Sequence, residues 1–168
     1  MDRDGVINKK IENGYVTKVE EFEILPGVIE ALRILRSTFG RLIIVTNQRG
    51  ISRGFMTERD LFSIHEYMLS IFKTQSIFID RIYFCPHDEK DNCNCRKPKT
   101  GMIEQAIKDF KDIDIKKCIL VGDSYTDILT AKKMNIISVL VGGDTKNNNI
   151  DADFYFDNLL EFALAIGV

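Results

Sequence analysis

The sequence predicts an α/β fold, a doubly wound and mostly parallel sheet, and three observations carry that expectation. Short apolar runs rich in β-branched residues alternate with segments of helical periodicity, the order that gives parallel strands joined by crossover helices. No repeat, linker or shift in composition divides the 168 residues, so one domain spanning 1–168 is expected. The polar motifs fall at the carboxyl ends of the apolar runs, where parallel sheets bind ligands near a switch in strand order.

Residues 9–22 are polar and broken by Asn13-Gly14-Tyr15, a tight-turn signature, and read as a loop that begins just after the first acidic motif. Pro26-Gly27 opens a helix through about Ser37, with Val28, Ala31, Leu32 and Leu35 on one face. Arg41 to Thr46 is a buried strand. A Gly-containing basic loop, 47–54, follows it, and Thr57 then N-caps a helix to about Phe72, with Asp60 three residues on as a looser relative of the capping box. Ile79 to Cys85 is a strand stopped by Pro86, and 86–100 is too polar and too rich in Cys and Pro for regular structure. A helix over 101–110, a strand over 118–122, a helix over 127–134 and a strand over 136–141 come next. A polar loop, 144–151, leads to a short edge strand, Phe154 to Phe156, and a closing helix, Leu159 to Ile166.

Composition narrows the function classes. A hydrophobic fraction of 45% and a charged fraction of 29% are those of a soluble globular protein. A net charge of -2 argues against a nucleic-acid surface, which needs an excess of Lys and Arg. No apolar run has the length of a membrane span, and the first residues carry charge where a signal peptide needs an apolar segment. A cytoplasmic monomer is therefore expected, its four cysteines reduced or holding metal.

The chemistry starts at Asp2-Arg3-Asp4-Gly5. On an extended backbone, residues two apart share a side, so Asp2 and Asp4 can face one small volume before Gly5 turns the chain. Alone, Asp-x-Asp-Gly also suits solvated turns and calcium loops. Thr46, Lys97 and Asp123 change its weight, because the set supplies what phosphoryl transfer requires. A carboxylate can attack phosphorus, and a hydroxyl and an ammonium can stabilise the equatorial oxygens. Mg2+ takes oxygen ligands and bridges carboxylates to phosphate, which makes Asp2 and Asp123 its natural pair and leaves Asp4 free as acid and base. Separately, Cys85, His87, Cys93 and Cys95 form two tight pairs around a short loop, a donor set suited to structural Zn2+. Its binding free energy, about 10 to 16 kcal/mol in zinc-finger peptides, is ample to order this loop. Ordering it fixes the adjacent Arg96 and Lys97, and Arg96 has the planar fork to hold a second phosphate. Cys118 reads as a core residue and His65 as helix surface or packing.

These motifs resemble those of the haloacid dehalogenase superfamily of phosphohydrolases: Asp-x-Asp-Gly, a hydroxyl residue ending the second strand, a lysine, and Gly-Asp-x-x-x-Asp. The resemblance implies a Rossmann-like fold without a large cap domain. It also implies Asp2 as nucleophile, Asp4 as acid/base, and Thr46 and Lys97 on the phosphoryl group. Asp2, the backbone of Asp4, and Asp123 would bind Mg2+, with Asp127 in support. The zinc loop narrows the resemblance to the histidinol-phosphate and heptose-bisphosphate branch. Glu12 to Val16, Thr46 to Gly54 and Lys97 to Met102 are similar, over nearly the whole chain, to the heptose 1,7-bisphosphate 7-phosphatase family. That similarity implies a small phosphorylated sugar held by Glu12, Asn13, Gly14, Tyr15, Thr46, Asn47, Gln48, Arg49, Arg96, Lys97 and Ser124. Ser124 departs from the family, where lysine is common.

The family's first strand, apolar and central, is truncated to Met1, and an upstream start that restores it is expected. Its loss is costly against about 5 to 15 kcal/mol of net stability. A zinc-ordered binding protein without activity is the competing class. A phospho-acceptor signalling domain is a third, but it needs neither Asp4 nor a zinc loop.

Overall fold

The computed structural model describes residues 1–142 and 150–167. Among the described residues, five parallel strands are arranged as two sheets. β1 (Ile43–Asn47) pairs with β2 (Arg81–Cys85), Ile43 beside Arg81 and Asn47 beside Cys85. β3 (Ile119–Gly122), β4 (Ile137–Val141) and β5 (Phe154–Phe156) pair in that order. Met1 and Asp2 stitch the sheets together. The Met1 ammonium donates to the Ile43 carbonyl at 2.9 Å, Val45 N–H donates to the Met1 carbonyl at 2.9 Å, and Asp2 N–H donates to the Val121 carbonyl at 2.8 Å. Met1 and Asp2 thus lie between β1 and β3. Leu42, Ile43, Ile119 and Leu120, among others, wall an apolar cleft of about 580 Å³ beside Met1.

Side chains alternate between two apolar clusters, as double winding requires. Ile44 and Val121 enter the cluster covered by α1 (Val28–Thr38), α2 (Glu58–Thr74) and α5 (Leu159–Ile166). Val45, Cys85 and Leu120 enter the one covered by α3 (Gly101–Asp109) and α4 (Tyr125–Met134). The face of α1 read from the sequence, Val28, Ala31, Leu32 and Leu35, is the buried one. On α2, Leu61, Ile64, Met68 and Phe72 are buried at helical spacing, and Phe72→Ala would cost about 3–5 kcal/mol. The Thr57 capping box is complete, Thr57 N–H donating to Asp60 Oδ2 at 2.8 Å and Asp60 N–H to Thr57 Oγ1 at 3.2 Å.

β1 begins at Ile43 rather than Arg41, for an electrostatic reason. The Arg41 guanidinium is engaged by Asp80 and Asp112 and lies over the Phe110 ring, and Leu42 N–H donates to the Asp80 carboxylate. The expected loop at 86–100 contains one regular turn, a 3-10 turn at Glu89–Asp91 capped by Asp88. A second 3-10 turn, Val19–Glu21, lies in the stretch read as a loop, and a third, Ile115–Lys117, lies ahead of β3. Most of the expected polar loop at 144–151 lies outside the described residues. No described helix is long and apolar enough to cross a membrane.

Candidate active site

The acidic motif forms because Asp2 is pinned to β3 and Gly5 turns the chain at a φ of 85°, a conformation costly for residues with a Cβ. A Cβ on Gly5 would overlap the Asp123 carboxylate, and one on Gly122 would overlap Asp127. Two glycines therefore let the first turn and the β3–α4 turn close on each other. Asp2, Asp123 and Asp127 each offer an oxygen, and these atoms lie within 4.8 Å of one another.

Lys97 neutralises this cluster from inside. Only 2% exposed, its ammonium donates to Asp127 Oδ1 at 2.6 Å and the Val45 carbonyl at 2.8 Å, and lies 3.0 Å from Asp2 Oδ1. Burial works against that charge, but Asp127 and Asp2 outweigh it and hold the lysine pKa above its ordinary value. Asp2 is pushed up to about 7, chiefly by burial, with Asp127, Asp4 and Asp123 adding to the rise and Lys97 opposing it. Asp123 is also raised by burial, against the pull of Lys10, whose ammonium lies 2.8 Å from Asp123 Oδ2. The other oxygen, Asp123 Oδ1, is buried without a hydrogen-bond partner among the described residues.

Asp4 has a separate setting. Its carboxylate accepts from Arg3 Nη2 at 2.9 and 3.0 Å, Asn8 Nδ2 at 3.0 Å and Gln48 Nε2 at 2.8 Å. Burial alone would raise its pKa, but Arg3 and these donors outweigh it and hold the group ionised. Gln48 also donates to Thr46 Oγ1 at 2.9 Å, which ties the buried threonine at the end of β1 to Asp4 and leaves its hydroxyl proton free.

The sugar-binding expectations divide by what already engages the side chains. Both ends of the Asn47 amide are bonded to the main chain of Lys97, at 3.0 and 3.1 Å, so Asn47 positions that lysine. The Ser124 hydroxyl donates to Asp127 Oδ2 at 2.5 Å. Glu12, Asn13 and Gly14 form an exposed turn, and Tyr15 accepts a hydrogen bond from Arg49 Nε at 2.8 Å, drawing that turn over the 47–54 loop. Arg49 and Arg96 converge on Glu89, each 3.4 Å from its Oε1. Two guanidiniums on one exposed carboxylate mark a place where an anion is favoured.

Cys85 ends β2, and His87, Cys93 and Cys95 close on it. The Sγ atoms are 2.9 to 3.5 Å apart, and His87 Nδ1 lies 3.3 Å from Cys95 Sγ and 3.6 Å from Cys85 Sγ. All four cysteines of the chain are free thiols. Tetrahedral zinc with Zn–S near 2.3 Å implies ligands roughly 3.7 Å apart, so three sulfurs and an imidazole nitrogen this close suit one soft cation.

Three residues of the site had no role in the sequence reading. Arg3, fully buried, joins Asp4 and Gln48 to His65 Nε2 at 3.2 Å. His65, read as packing, is driven down to about 3 by burial and by Arg3, and is a neutral acceptor. Lys10 reaches the acidic cluster from the solvent side.

Residues 94–162 match the model of HAD-hydrolase-like proteins, in keeping with the acid cluster and the parallel sheet. A D-glycero-alpha-D-manno-heptose-1,7-bisphosphate 7-phosphatase from Campylobacter jejuni is 42% identical over 96% of this chain and 90% of its own length. A D-glycero-beta-D-manno-heptose-1,7-bisphosphate 7-phosphatase from Haemophilus influenzae is 39% identical over 96% of this chain and 91% of its own. The structure of a D,D-heptose 1,7-bisphosphate phosphatase from B. bronchiseptica, complexed with magnesium and phosphate, superposes with a TM-score of 0.89 at 29% identity, covering 98% of this chain and 94% of that one. The chain belongs to the heptose-1,7-bisphosphate 7-phosphatase family.

Proposed function

We propose that this chain is a Mg2+-dependent phosphomonoester hydrolase that removes the 7-phosphate of D-glycero-D-manno-heptose 1,7-bisphosphate through an aspartyl-phosphate on Asp2. The observation that carries the reading is Asp123 Oδ1, buried and without a partner beside Asp2. An unpaired buried carboxylate oxygen is costly unless a cation meets it. The carboxylates of Asp2 and Asp123 and the carbonyl of Asp4 would hold Mg2+. The ion's chemistry is to neutralise charge between carboxylate and phosphate.

Asp2 attacks phosphorus as the P–O bond to the sugar breaks, and Asp4 gives its proton to the leaving oxygen. The bonds to Arg3, Asn8 and Gln48 keep Asp4 ionised in the free protein. A phosphoryl dianion arriving beside it raises its pKa and loads the proton. Asp4 then takes a proton from water, whose oxygen attacks the acyl phosphate and restores the Asp2 carboxylate. Lys97 and the Thr46 hydroxyl hold the equatorial oxygens. Arg49 and Arg96 take the second phosphate, displacing Glu89. Cys85, His87, Cys93 and Cys95 would hold a structural Zn2+, which would order the loop that carries Arg96 and Lys97. The enzyme works as a single-domain monomer in the cytoplasm.

Phosphate release from heptose bisphosphate, histidinol phosphate and fructose bisphosphate, with Mg2+, tests the reading. Highest kcat/KM on heptose bisphosphate, and loss of release in Asp2→Asn, is expected. Faster release from histidinol phosphate would assign that substrate instead, and Mg2+ uptake without release from any of them would mark a binding protein.

A further inference from the structure

In the free protein Lys97, 2% exposed, spends its ammonium on Asp127, Asp2 and the Val45 carbonyl, and it reaches a phosphoryl oxygen only by exchanging the Asp2 contact. Lys10 differs in every respect. Its side chain is 57% exposed against 14% for Asp123, and it makes one contact, Asp123 Oδ2 at 2.8 Å. Its main chain is anchored on the amino side, by the Asn8–Ile24 bridge and by Lys9 N–H donating to the Glu23 carbonyl at 2.8 Å. A fixed backbone and a long exposed stem let the ammonium move while staying at the mouth of the cluster.

We infer that Lys10 is a tethered counter-ion: it holds Asp123 in the metal-free protein, gives Asp123 up when a divalent cation binds, and then contacts a phosphoryl oxygen of the substrate. The inference rests on the metal site proposed above. An ammonium and a divalent cation on one carboxylate repel each other strongly, and the exposed partner is the one free to leave. Displaced by a few ångströms, the Lys10 ammonium stays in the field of a bound phosphate, on the side that Lys97 does not reach. Asp123 is thus never left bare, and the cation that fills the empty site later assists the substrate.

Two equilibria should then respond to Lys10→Gln with opposite signs. Calorimetric titration of Mg2+ into the phosphate-free protein should give binding about two- to fivefold tighter in the variant, the scale of an exposed ion pair. Titration of inorganic phosphate into Mg2+-saturated protein should give binding about three- to tenfold weaker, and Lys10→Arg should restore most of that loss. In kinetics, KM should rise more than kcat falls. Any other combination overturns the inference: two unchanged affinities make Lys10 a surface lysine, and two weakened ones make it structural. Wild-type protein that takes up no Mg2+, or an Asp123→Asn variant that binds it as well as wild type does, overturns the metal site and the inference with it.

Discussion

The carboxylate cluster and the thiol cluster both gather metal-ligating side chains at the carboxyl edge of the sheet, yet they are built on opposite principles. Asp2, Asp123 and Asp127 come from the ends of ordered elements, and lysines balance their charge from within and without. Cys85, His87, Cys93 and Cys95 come almost entirely from one irregular loop whose apolar support is thin. The first cluster is held by the fold and keeps an oxygen unsatisfied. The second has every donor turned inward and holds the loop itself. Open hard-donor sites serve chemistry, and closed soft-donor sites serve architecture.

Metal removal should separate the two most sharply. Withdrawing Mg2+ should abolish phosphate release while changing Tm by only a few degrees. Cys85→Ser, which breaks the thiol site, should lower Tm by more than about 10 °C if the site holds the zinc proposed above, because such binding of about 10–16 kcal/mol rivals the whole stability of a domain. Equal Tm loss from both treatments, read by scanning calorimetry, would erase the distinction. Lys97→Met comes next. It should cost about 10²–10³-fold in kcat and about 3–5 kcal/mol in stability, since Asp2 and Asp127 lose their buried partner. Unchanged stability in urea titration would mean that those carboxylates are neutral without it.

The amino end of the sheet gives a third comparison, since the cleft of about 580 Å³ is apolar where the active end is charged. A grafted strand of four or five apolar residues ahead of Met1 should pair with the edges of β1 and β3. At about 1.5–3 kcal/mol per buried aliphatic side chain, partly offset by ordering entropy, Tm should rise by about 5–15 °C. A polar graft that stabilises equally would contradict the pairing. The smallest effect expected is a pH dependence at His65. Its pKa is about 3 when folded against 6.5 as its ordinary value, so below pH 6.5 the unfolded chain takes up a proton that the folded one refuses. Stability should therefore fall by about 1–2 kcal/mol between pH 6.5 and 5, and His65→Gln, which keeps an acceptor for Arg3, should flatten that slope.

Legibility in the sequence followed the scale of the physical signal. Periodic burial and capping are repeated or local, which is why α1, the Thr57 cap and the closing helix at Leu159–Ile166 could be placed. Asp2, Thr46, Lys97 and Asp123 could be gathered because strand ends in a parallel sheet share one edge. Contacts that depend on tertiary approach left no local trace. Arg3 lies between two aspartates with nothing local to mark it, yet folds inward to His65 and Asp4. Asn47 and Ser124 enter the sequence reading only through the resemblance, and nothing local in the sequence shows their bonds to Lys97 and Asp127. Lys10 is one lysine in a polar loop, and only its meeting with Asp123 from the far end of the chain distinguishes it.

The central claim is that phosphorus passes through Asp2. Acid quench within a single turnover on heptose bisphosphate labelled in the 7-phosphate, followed by borohydride reduction and peptide mass spectrometry, tests it directly. The account predicts a reduced, formerly phosphorylated Asp2, lost in Asp2→Asn along with activity. Full phosphate release with Asp2 unmodified, or an active Asp2→Asn enzyme, would contradict it.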